Sequence, residues 1–186
     1  MNAELAIETA DAALATREAY SSAADRFDDP ALGFWERCGR TTVRHLGLPR
    51  GGAVLDVGCG TGASALQAAR LVGSDGRVIG VDLAEELLEL ARRKAAREGL
   101  GNIEFRRADM RALDFSPASF DAVVCVFAIF FVPDMAAQLA ALWRLVRPGG
   151  TLAVTVWGRG LFEPAAGEFW KAVRRRRPDL ERRFSP

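Results

Sequence analysis

The chain of 186 residues is poor in the side chains that most often perform acid–base, metal and disulfide chemistry: it has one histidine, one tyrosine and three cysteines. The cysteines, Cys38, Cys59 and Cys125, stand far apart and form neither a CxxC pair nor a Cys/His cluster. This pattern indicates neither a zinc site nor a disulfide framework. The histidine, His45, lies near the predicted end of a helix, where a side chain that can carry positive charge is favourable, so we expect a structural rather than a catalytic role for it.

The chain also lacks a strong charge imbalance and an apolar run of membrane-spanning length. A net charge of +1 gives no electrostatic case for a nucleic-acid or membrane partner. The apolar run from Ala122 to Pro133 is too short to cross a bilayer. The first residues carry Glu4, Glu8 and Asp11 instead of a basic start and an apolar middle, so we expect no signal peptide and a cytoplasmic protein. The arginines at 174–177 are expected to form a solvated helix face, because no aromatic stacking platform for nucleic acid accompanies them.

The most informative stretch is Val54 to Gly62, with the sequence VLDVGCGTG. An apolar run ends in glycines at alternate positions, Gly58, Gly60 and Gly62, and a helical pattern follows. An α/β sheet presents a ligand site at the carboxyl end of a strand in this way. A tight strand-to-helix turn without a ligand is the alternative, and the looser dinucleotide pattern G-x-G-x-x-A is also satisfied. We expect Cys59 to fill space in this loop rather than to act as a nucleophile.

Acidic residues distinguish a dinucleotide from a ligand that carries positive charge. The carboxylate of Asp56, just before the loop, would repel a pyrophosphate but favour a ligand that carries an ammonium and a sulfonium group. S-adenosylmethionine carries both and has no phosphate, and the loop has no Lys or Arg to neutralise one. Asp82 and Asp109 end later strand patterns, and the carboxyl ends of parallel strands meet at one edge of a sheet, so all three acids could reach one ligand. Asp82 follows the loop at about the twenty-residue spacing at which an acid accepts hydrogen bonds from ribose hydroxyls.

Strand and helix patterns alternate along the chain, and the strands are nearly all apolar. We therefore predict an α/β fold with a Rossmann-like, mostly parallel sheet and helices on both faces. One domain is predicted over residues 1–186, with N-terminal helices or a lid at 1–50, a cofactor-binding core at 51–158 and a basic helical tail at 159–186. The predicted strands are a first one that ends at Val57, then Arg77–Asp82, Asn102–Asp109, Phe120–Phe127 and Thr151–Trp157. The predicted helices are 3–24, Leu32–Leu46, Ser64–Val72, Ala84–Gly99 and one from its cap Asp134 to Arg147, which a turn at Pro148–Gly150 follows.

Several segments, taken in order, carry a resemblance to a known family. They are VLDVGCGTG at 54–62, VIGVDL at 78–83, EFRRADM at 104–110, FDAVVCVFAIFFVPD at 120–134 and LVRPGGTLAVTVW at 145–157. With them the sequence resembles the class I S-adenosylmethionine-dependent methyltransferases, and among these the small-molecule branch of the ubiquinone/menaquinone-biosynthesis type. The resemblance covers roughly Tyr20 to Gly158 and is more specific for the cofactor-binding fold than for the substrate.

The resemblance implies which residues would hold the methionine portion of the cofactor. Asp56 and the loop with Gly58, Cys59 and Gly60 would surround it. The main chain near Cys125 would receive the methionine ammonium group.

It also implies which residues would hold the adenosine portion. Asp82 would accept both ribose hydroxyls, and Leu83 would pack on one face of the adenine. Asp109 would accept the adenine amino group, and Met110 would lie beside the ring. Tyr20 would close the site from the N-terminal helices, although simple packing under its own helix is an equal alternative.

Two phenylalanines stand where relatives often carry polar or histidine residues that face the substrate. Phe130 and Phe131 therefore predict an apolar pocket for a small-molecule methyl acceptor, and they remove the most obvious general base. The implied mechanism is in-line attack of the acceptor on the activated methyl group, in which positioning alone can account for roughly 7–11 kcal/mol of a barrier. We assign no catalytic acid or base and no metal.

The end of the chain departs from the family pattern. The family's sheet usually ends in two further strands, and nothing from Leu161 to Pro186 reads as that pair. A predicted strand at Leu152–Val156 would keep an open edge, which favours association. We expect a truncated chain, a reduced fold, or a homo-oligomer in which another copy covers the edge.

Two other functions compete with methyl transfer. One is a module or subunit that binds S-adenosylmethionine without turnover, which turnover of any acceptor would exclude. The other is a nicotinamide-dependent oxidoreductase, against which Asp56, Asp109 and the absence of a phosphate partner count. Preferential binding of NADH would favour the oxidoreductase.

Overall fold

The computed structural model describes residues 14, 16–29, 33–158, 160 and 164–177. Residues 3–13 of the predicted helix at 3–24 lie outside the described residues. The chain divides into two compact units, Met1–Val156 and Trp157–Pro186. One domain over 1–186 therefore stays a prediction, and each unit is described by itself.

The first unit contains one sheet of five strands, and all of them run parallel. Their order is β3-β2-β1-β4-β5, with β1 in the centre and β5 at one edge. This confirms the predicted α/β, Rossmann-like architecture. The strands are β1 (Ala53–Val57), β2 (Arg77–Asp82), β3 (Ile103–Arg107), β4 (Phe120–Val126) and β5 (Val146–Thr155).

Helices flank the sheet of the first unit. They are α1 (16–22), α2 (Ala24–Phe27), α3 (Phe34–Arg44), α4 (Ala63–Val72), α5 (Glu85–Arg97) and α6 (Met135–Trp143). The second unit contains α7 (Ala165–Arg176). Two short 3₁₀ turns lie at Met110–Ala112 and Ile129–Phe131. Within the described residues, no helix combines the length and apolarity that crossing a membrane requires.

The central strands are apolar because they are buried on both faces. Successive side chains of β1 point to opposite faces: Val54 joins a core cluster with residues of α3, α4 and α5, and Leu55 joins a second cluster with residues of α6. Both side chains are fully buried, and burial of such a side chain stabilises the fold by about 1.5–3 kcal/mol. Helices therefore cover both faces, as predicted.

Helix boundaries follow local signals. The Asp134 side chain accepts a hydrogen bond from the Ala137 N–H (2.9 Å), so it caps α6 as the sequence predicts. His45 lies at the carboxyl end of α3 and is exposed. On α5 the apolar stripe with Leu87 and Leu88 is buried.

The fifth strand departs from the prediction. Its helix neighbour α6 ends at Trp143 instead of Arg147, and Val146 already pairs with Phe120. The predicted turn at Pro148–Gly150 is an irregularity inside β5, opposite Asp121. Proline is tolerated there because β5 is an edge strand and its missing N–H breaks no inner ladder. No further strand follows β5 in the described residues up to 177.

Candidate functional site

A cavity that is open to solvent, with about 730 Å³ of empty space, lies at the carboxyl ends of β1, β2 and β4, within the first unit. Sheets of this topology bind ligands where the strand order reverses, which here is between β1 and β4. Of the residues that the sequence predicts for the site, the cavity is lined by Tyr20, Gly58, Gly60, Asp82, Leu83, Met110 and Phe131.

The glycine loop brings its backbone unusually close to the exit of β4. Gly58 has φ +71°, and a Cβ built on it would lie 2.3 Å from the Ala128 Cβ. The N–H groups of Gly58 and Cys59 both donate to the Val81 carbonyl (2.8 and 3.0 Å), so the loop is fixed to β2. Only glycine combines this backbone conformation with this approach.

Asp82 ends β2 and faces the loop. Its Oδ2 accepts a hydrogen bond from the Gly60 N–H (2.8 Å), and its Oδ1 accepts one from the Ala84 N–H (3.0 Å). Burial raises the pKa of this carboxyl, and the backbone hydrogen bonds oppose that rise. A carboxylate has about four lone-pair sites. Asp82 therefore keeps acceptor capacity for hydroxyl groups of a ligand in the cavity.

Asp56 lies beneath the loop and does not line the cavity. Its side chain is 1% exposed, and its Oδ2 accepts a hydrogen bond from the Ser64 hydroxyl (2.5 Å). Its Oδ1 is buried and has no hydrogen-bond partner within the described part of the chain. Burial raises the pKa of Asp56 to about 7, against the Ser64 hydrogen bond and with a smaller contribution from Asp82. This is an unpartnered carboxylate oxygen directly below the candidate site.

Asp109 and Met110 lie at the 3₁₀ turn that follows β3, and their surroundings differ. The Asp109 carboxylate accepts hydrogen bonds from the Arg111 side chain and backbone N–H, which lowers its pKa, and it lies outside the cavity lining. Met110 lines the cavity, and its carbonyl accepts a hydrogen bond from the Gln138 side chain (2.7 Å). An adenine contact from the Asp109 side chain would require the Arg111 pairing to open.

The two cysteines of the predicted site are buried and outside the cavity lining. Burial raises the pKa of Cys125 to about 12 and that of Cys59 well above its usual range, so both are neutral thiols. Of the two phenylalanines predicted for the site, Phe131 lines the cavity, whereas Phe130 packs against the core cluster on the α6 face of the sheet.

Aromatic rings form one side of the cavity. We call Tyr20, Phe27, Trp35, Phe127 and Phe131 the aromatic wall. The rings form a continuous row, and the centroids of neighbouring rings are 5.6 Å apart for Phe131 and Tyr20, 5.9 Å for Tyr20 and Phe27, 6.1 Å for Phe27 and Trp35, and 5.4 Å for Trp35 and Phe127. Such pairs stabilise by about 0.5–1.5 kcal/mol beyond area burial. A flat apolar ligand fits this wall.

Sequence reasoning missed three members of the wall. Trp35 lies in the predicted helix Leu32–Leu46, where its spacing indicated only helix packing, and Phe27 lies between the predicted helices, where no element was assigned. Phe127 directly follows β4 and has φ +53°, which is uncommon for a residue other than glycine. Its hydrogen bonds to Thr155, from the Phe127 N–H to the carbonyl and the hydroxyl, hold this conformation.

The cavity offers little acid–base chemistry. Of its described lining residues, Arg17, Tyr20 and Asp82 are the ones with titratable side chains. Burial, and next to it the charge of Asp82, raises the pKa of Tyr20, so its phenol stays protonated near neutral pH. The described residues include no group of three or more His, Cys, Asp or Glu that could hold a metal ion. The arrangement can orient and desolvate a ligand.

Comparisons with known proteins agree with this geometry. A family model described as "Methyltransferase domain" matches residues 54–150. The chain is 38% identical over 116 residues to the ubiquinone/menaquinone biosynthesis C-methyltransferase UbiE of a Marinomonas species, which covers 62% of this chain and 46% of that protein. It is 34% identical over 154 residues to the aklanonic acid methyltransferase DauC of a Streptomyces species, which covers 82% of this chain and 70% of that protein.

A solved structure shows the same fold. A SAM-dependent methyltransferase from Aquifex aeolicus superposes with a TM-score of 0.62 at 27% identity, and the match covers 72% of this chain and 71% of that one. The chain spans about half the length of the ubiquinone/menaquinone-type relatives that it matches.

Proposed function

Because the chain belongs to the class I S-adenosylmethionine-dependent methyltransferases, we propose that it transfers the methyl group of S-adenosylmethionine to a small-molecule acceptor in the cavity beside the aromatic wall. The cofactor of this family is S-adenosylmethionine. The observation that carries the proposal is the position of Asp82, a carboxylate with spare acceptor sites, between the glycine loop and the aromatic wall of one cavity.

The residues present fit this cofactor. Gly58 allows the loop to pack against Ala128, Gly60 leaves its own backbone open to a closer approach, and Asp82 can accept hydrogen bonds from ribose hydroxyls. Leu83 and Met110 offer apolar surfaces for an adenine ring. These assignments follow the family pattern and remain part of the proposal.

The contribution of the chain to the reaction is orientation and exclusion of water. The bound cofactor supplies a methyl group that is electrophilic because the neighbouring sulfur is a sulfonium. The aromatic wall holds the acceptor against this methyl group for in-line attack and excludes water from the reacting atoms. Tyr20 stays protonated, so it acts as a hydrogen-bond donor rather than as a base. No general base is assigned.

The aromatic wall supports a proposal for the acceptor class. Stacked and edge-on rings suit a flat, largely apolar molecule. The relatives are named for methylation in ubiquinone and menaquinone biosynthesis and for methylation of aklanonic acid. We therefore place the acceptor of this chain among small aromatic or quinone-like molecules.

Calorimetric titration of the purified chain with S-adenosylmethionine, S-adenosylhomocysteine and NADH tests the cofactor. We expect the first two to bind and NADH not to bind. Asp82→Asn should weaken the binding of S-adenosylmethionine by at least about tenfold, because a hydrogen bond to a charged group contributes about 1.5–3 kcal/mol. Glu89→Gln on the exposed face of α5 removes the same charge away from the site and should bind like the parent.

Equal affinity of parent and Asp82→Asn would show that the ribose assignment is wrong, and preferential binding of NADH would refute the proposal. Transfer of a radiolabelled methyl group to a panel of hydroxyaromatic and quinol acceptors tests turnover. Tight cofactor binding with no transfer to any member of that panel would favour the binding module instead of the enzyme.

A further inference from the structure

Lys94, on α5, ties the glycine loop to the N-terminal part of the chain without lining the cavity itself. Its ammonium group donates to Asp28 Oδ1 (2.6 Å), Thr61 Oγ1 (3.0 Å) and the Thr61 carbonyl (3.2 Å). The Thr61 hydroxyl donates to the same Asp28 oxygen (2.9 Å). Two segments far apart in sequence therefore meet at one ammonium group.

Both tied segments reach directly into the site. Thr61 lies between Gly60 and Gly62 in the glycine loop, and it is 5% exposed. Asp28 directly follows Phe27, whose ring lies 3.8 Å from the position of a Cβ built on Gly60. We call residues 16–29 the cover segment, since they contribute Tyr20 and Phe27 to the aromatic wall.

The geometry suits lysine. An ammonium group has three N–H donors and no acceptor, and here three oxygens converge on it. The Lys94 side chain is 26% exposed and that of Asp28 is 39% exposed. Partial burial, a shared hydroxyl and three hydrogen bonds distinguish this cluster from an isolated surface ion pair, whose contribution is about 0–1 kcal/mol.

Other contacts of the cover segment are weaker guides to the site. Ser21 donates a hydrogen bond to the exposed Glu86, and Ala24 packs with Leu87 of α5. Neither contact involves the glycine loop. The Lys94 cluster, in contrast, joins the loop and the cover segment directly.

We propose that Lys94 is a positioning residue that acts through Thr61 and Asp28: it holds the glycine loop and the cover segment in the closed arrangement, and so determines how long a cofactor is retained. The retention step rests on the proposed function, whereas the closed arrangement can be tested on the chain without any ligand. Loss of the tie frees Phe27 from its place over Gly60 and opens the aromatic wall on that side.

Amide hydrogen exchange on the ligand-free chain tests the tie. In Lys94→Met we expect amides of 16–29 and 60–62 to exchange about tenfold faster, as local opening becomes easier, while those of the central strands keep their rates. Arg93→Met, which removes the neighbouring exposed charge on α5, should leave both regions unchanged. Unchanged exchange in Lys94→Met, or equal acceleration in the control, would overturn the proposal.

Stopped-flow tryptophan fluorescence, to which Trp35 of the aromatic wall contributes, tests retention of S-adenosylhomocysteine. We expect Lys94→Met to release the ligand about tenfold faster with a smaller change in the association rate, because most affinity differences within one site reside in dissociation. The same result is expected for Asp28→Asn. The double variant should release the ligand no faster than the faster of the two single variants. Additive effects would contradict a shared tie.

The two readouts separate the possible failures. If the parent binds neither S-adenosylmethionine nor S-adenosylhomocysteine, the proposed function is wrong and retention falls with it, but the exchange data still decide whether Lys94 holds the cover segment. If the parent binds and Lys94→Met releases the ligand at the parental rate, the positioning role is wrong while the proposed function stands.

Discussion

Asp56→Asn isolates the cost of a buried carboxyl beneath the glycine loop. The Asp56 side chain is 1% exposed, accepts one short hydrogen bond from Ser64, and leaves Oδ1 without a partner in the described structure. Burial raises its pKa from 3.8 to about 7. Asparagine has nearly the same shape and no charge, so the substitution removes the titration and little else.

The sign of the effect follows from proton binding. Between the unfolded and folded pKa values, the folded chain holds a proton that the unfolded chain has lost, so the free energy of unfolding falls as pH rises and levels off above about 7. One pKa unit corresponds to 1.36 kcal/mol. We therefore expect Asp56→Asn to gain about 2.5 kcal/mol relative to the parent between pH 5 and pH 8.

Urea unfolding of both chains at several pH values between 5 and 8 measures this difference. Contributions from the rest of the chain are common to parent and variant and cancel in the comparison. A constant offset from the new amide group also cancels, because only the change with pH is compared. Parallel stability profiles for the two chains would refute the reasoning, since they would mean that Asp56 is ionised in the folded state across this range.

Two further pairs of substitutions test the packing around the sheet. Gly58→Ala should destabilise by about 1–2 kcal/mol for the left-handed backbone plus about 1–3 kcal/mol for overlap with Ala128. Gly60→Ala, with φ +53° and the Phe27 ring at an ordinary contact distance of 3.8 Å, should show only the first part by thermal melting. Asp121→Ala should cost about 1–3 kcal/mol in urea, because Asp121 accepts the first N–H of β1 (2.9 Å) and pairs with Arg147. Arg147→Met should cost under about 1 kcal/mol; equal effects in either pair would contradict these assignments.

The sheet is readable from the sequence where its strands are buried. The range Arg77–Asp82 was predicted as observed, because its apolar residues leave no competing pattern. The fifth strand was not, since Val146 joins the sheet through pairing with Phe120, a partner distant in sequence. Local signals at Pro148–Gly150 indicated a turn, and long-range pairing outweighed them.

The candidate site, like the sheet, could be predicted from the sequence only in part. Asp82, Leu83 and Met110 share one cavity because they follow strands whose carboxyl ends meet, which a βαβ pattern already implies. Phe27 and Trp35 could not be placed, since their positions depend on how the N-terminal helices pack. The Arg111 contact of Asp109 depends on a turn geometry that spacing does not specify. The roles of all these residues remain proposals.

The strand order has a consequence for how the molecule is assembled. β1, β2 and β3 pair with neighbours that are close in sequence, whereas Val54 of β1 must find Ala122 of β4. Closing a long loop costs entropy, and such non-local pairing slows folding. The cavity straddles this β1–β4 seam. A ligand that recognises the cavity therefore needs this junction to be closed, and its binding reports that the two halves of the sheet have joined.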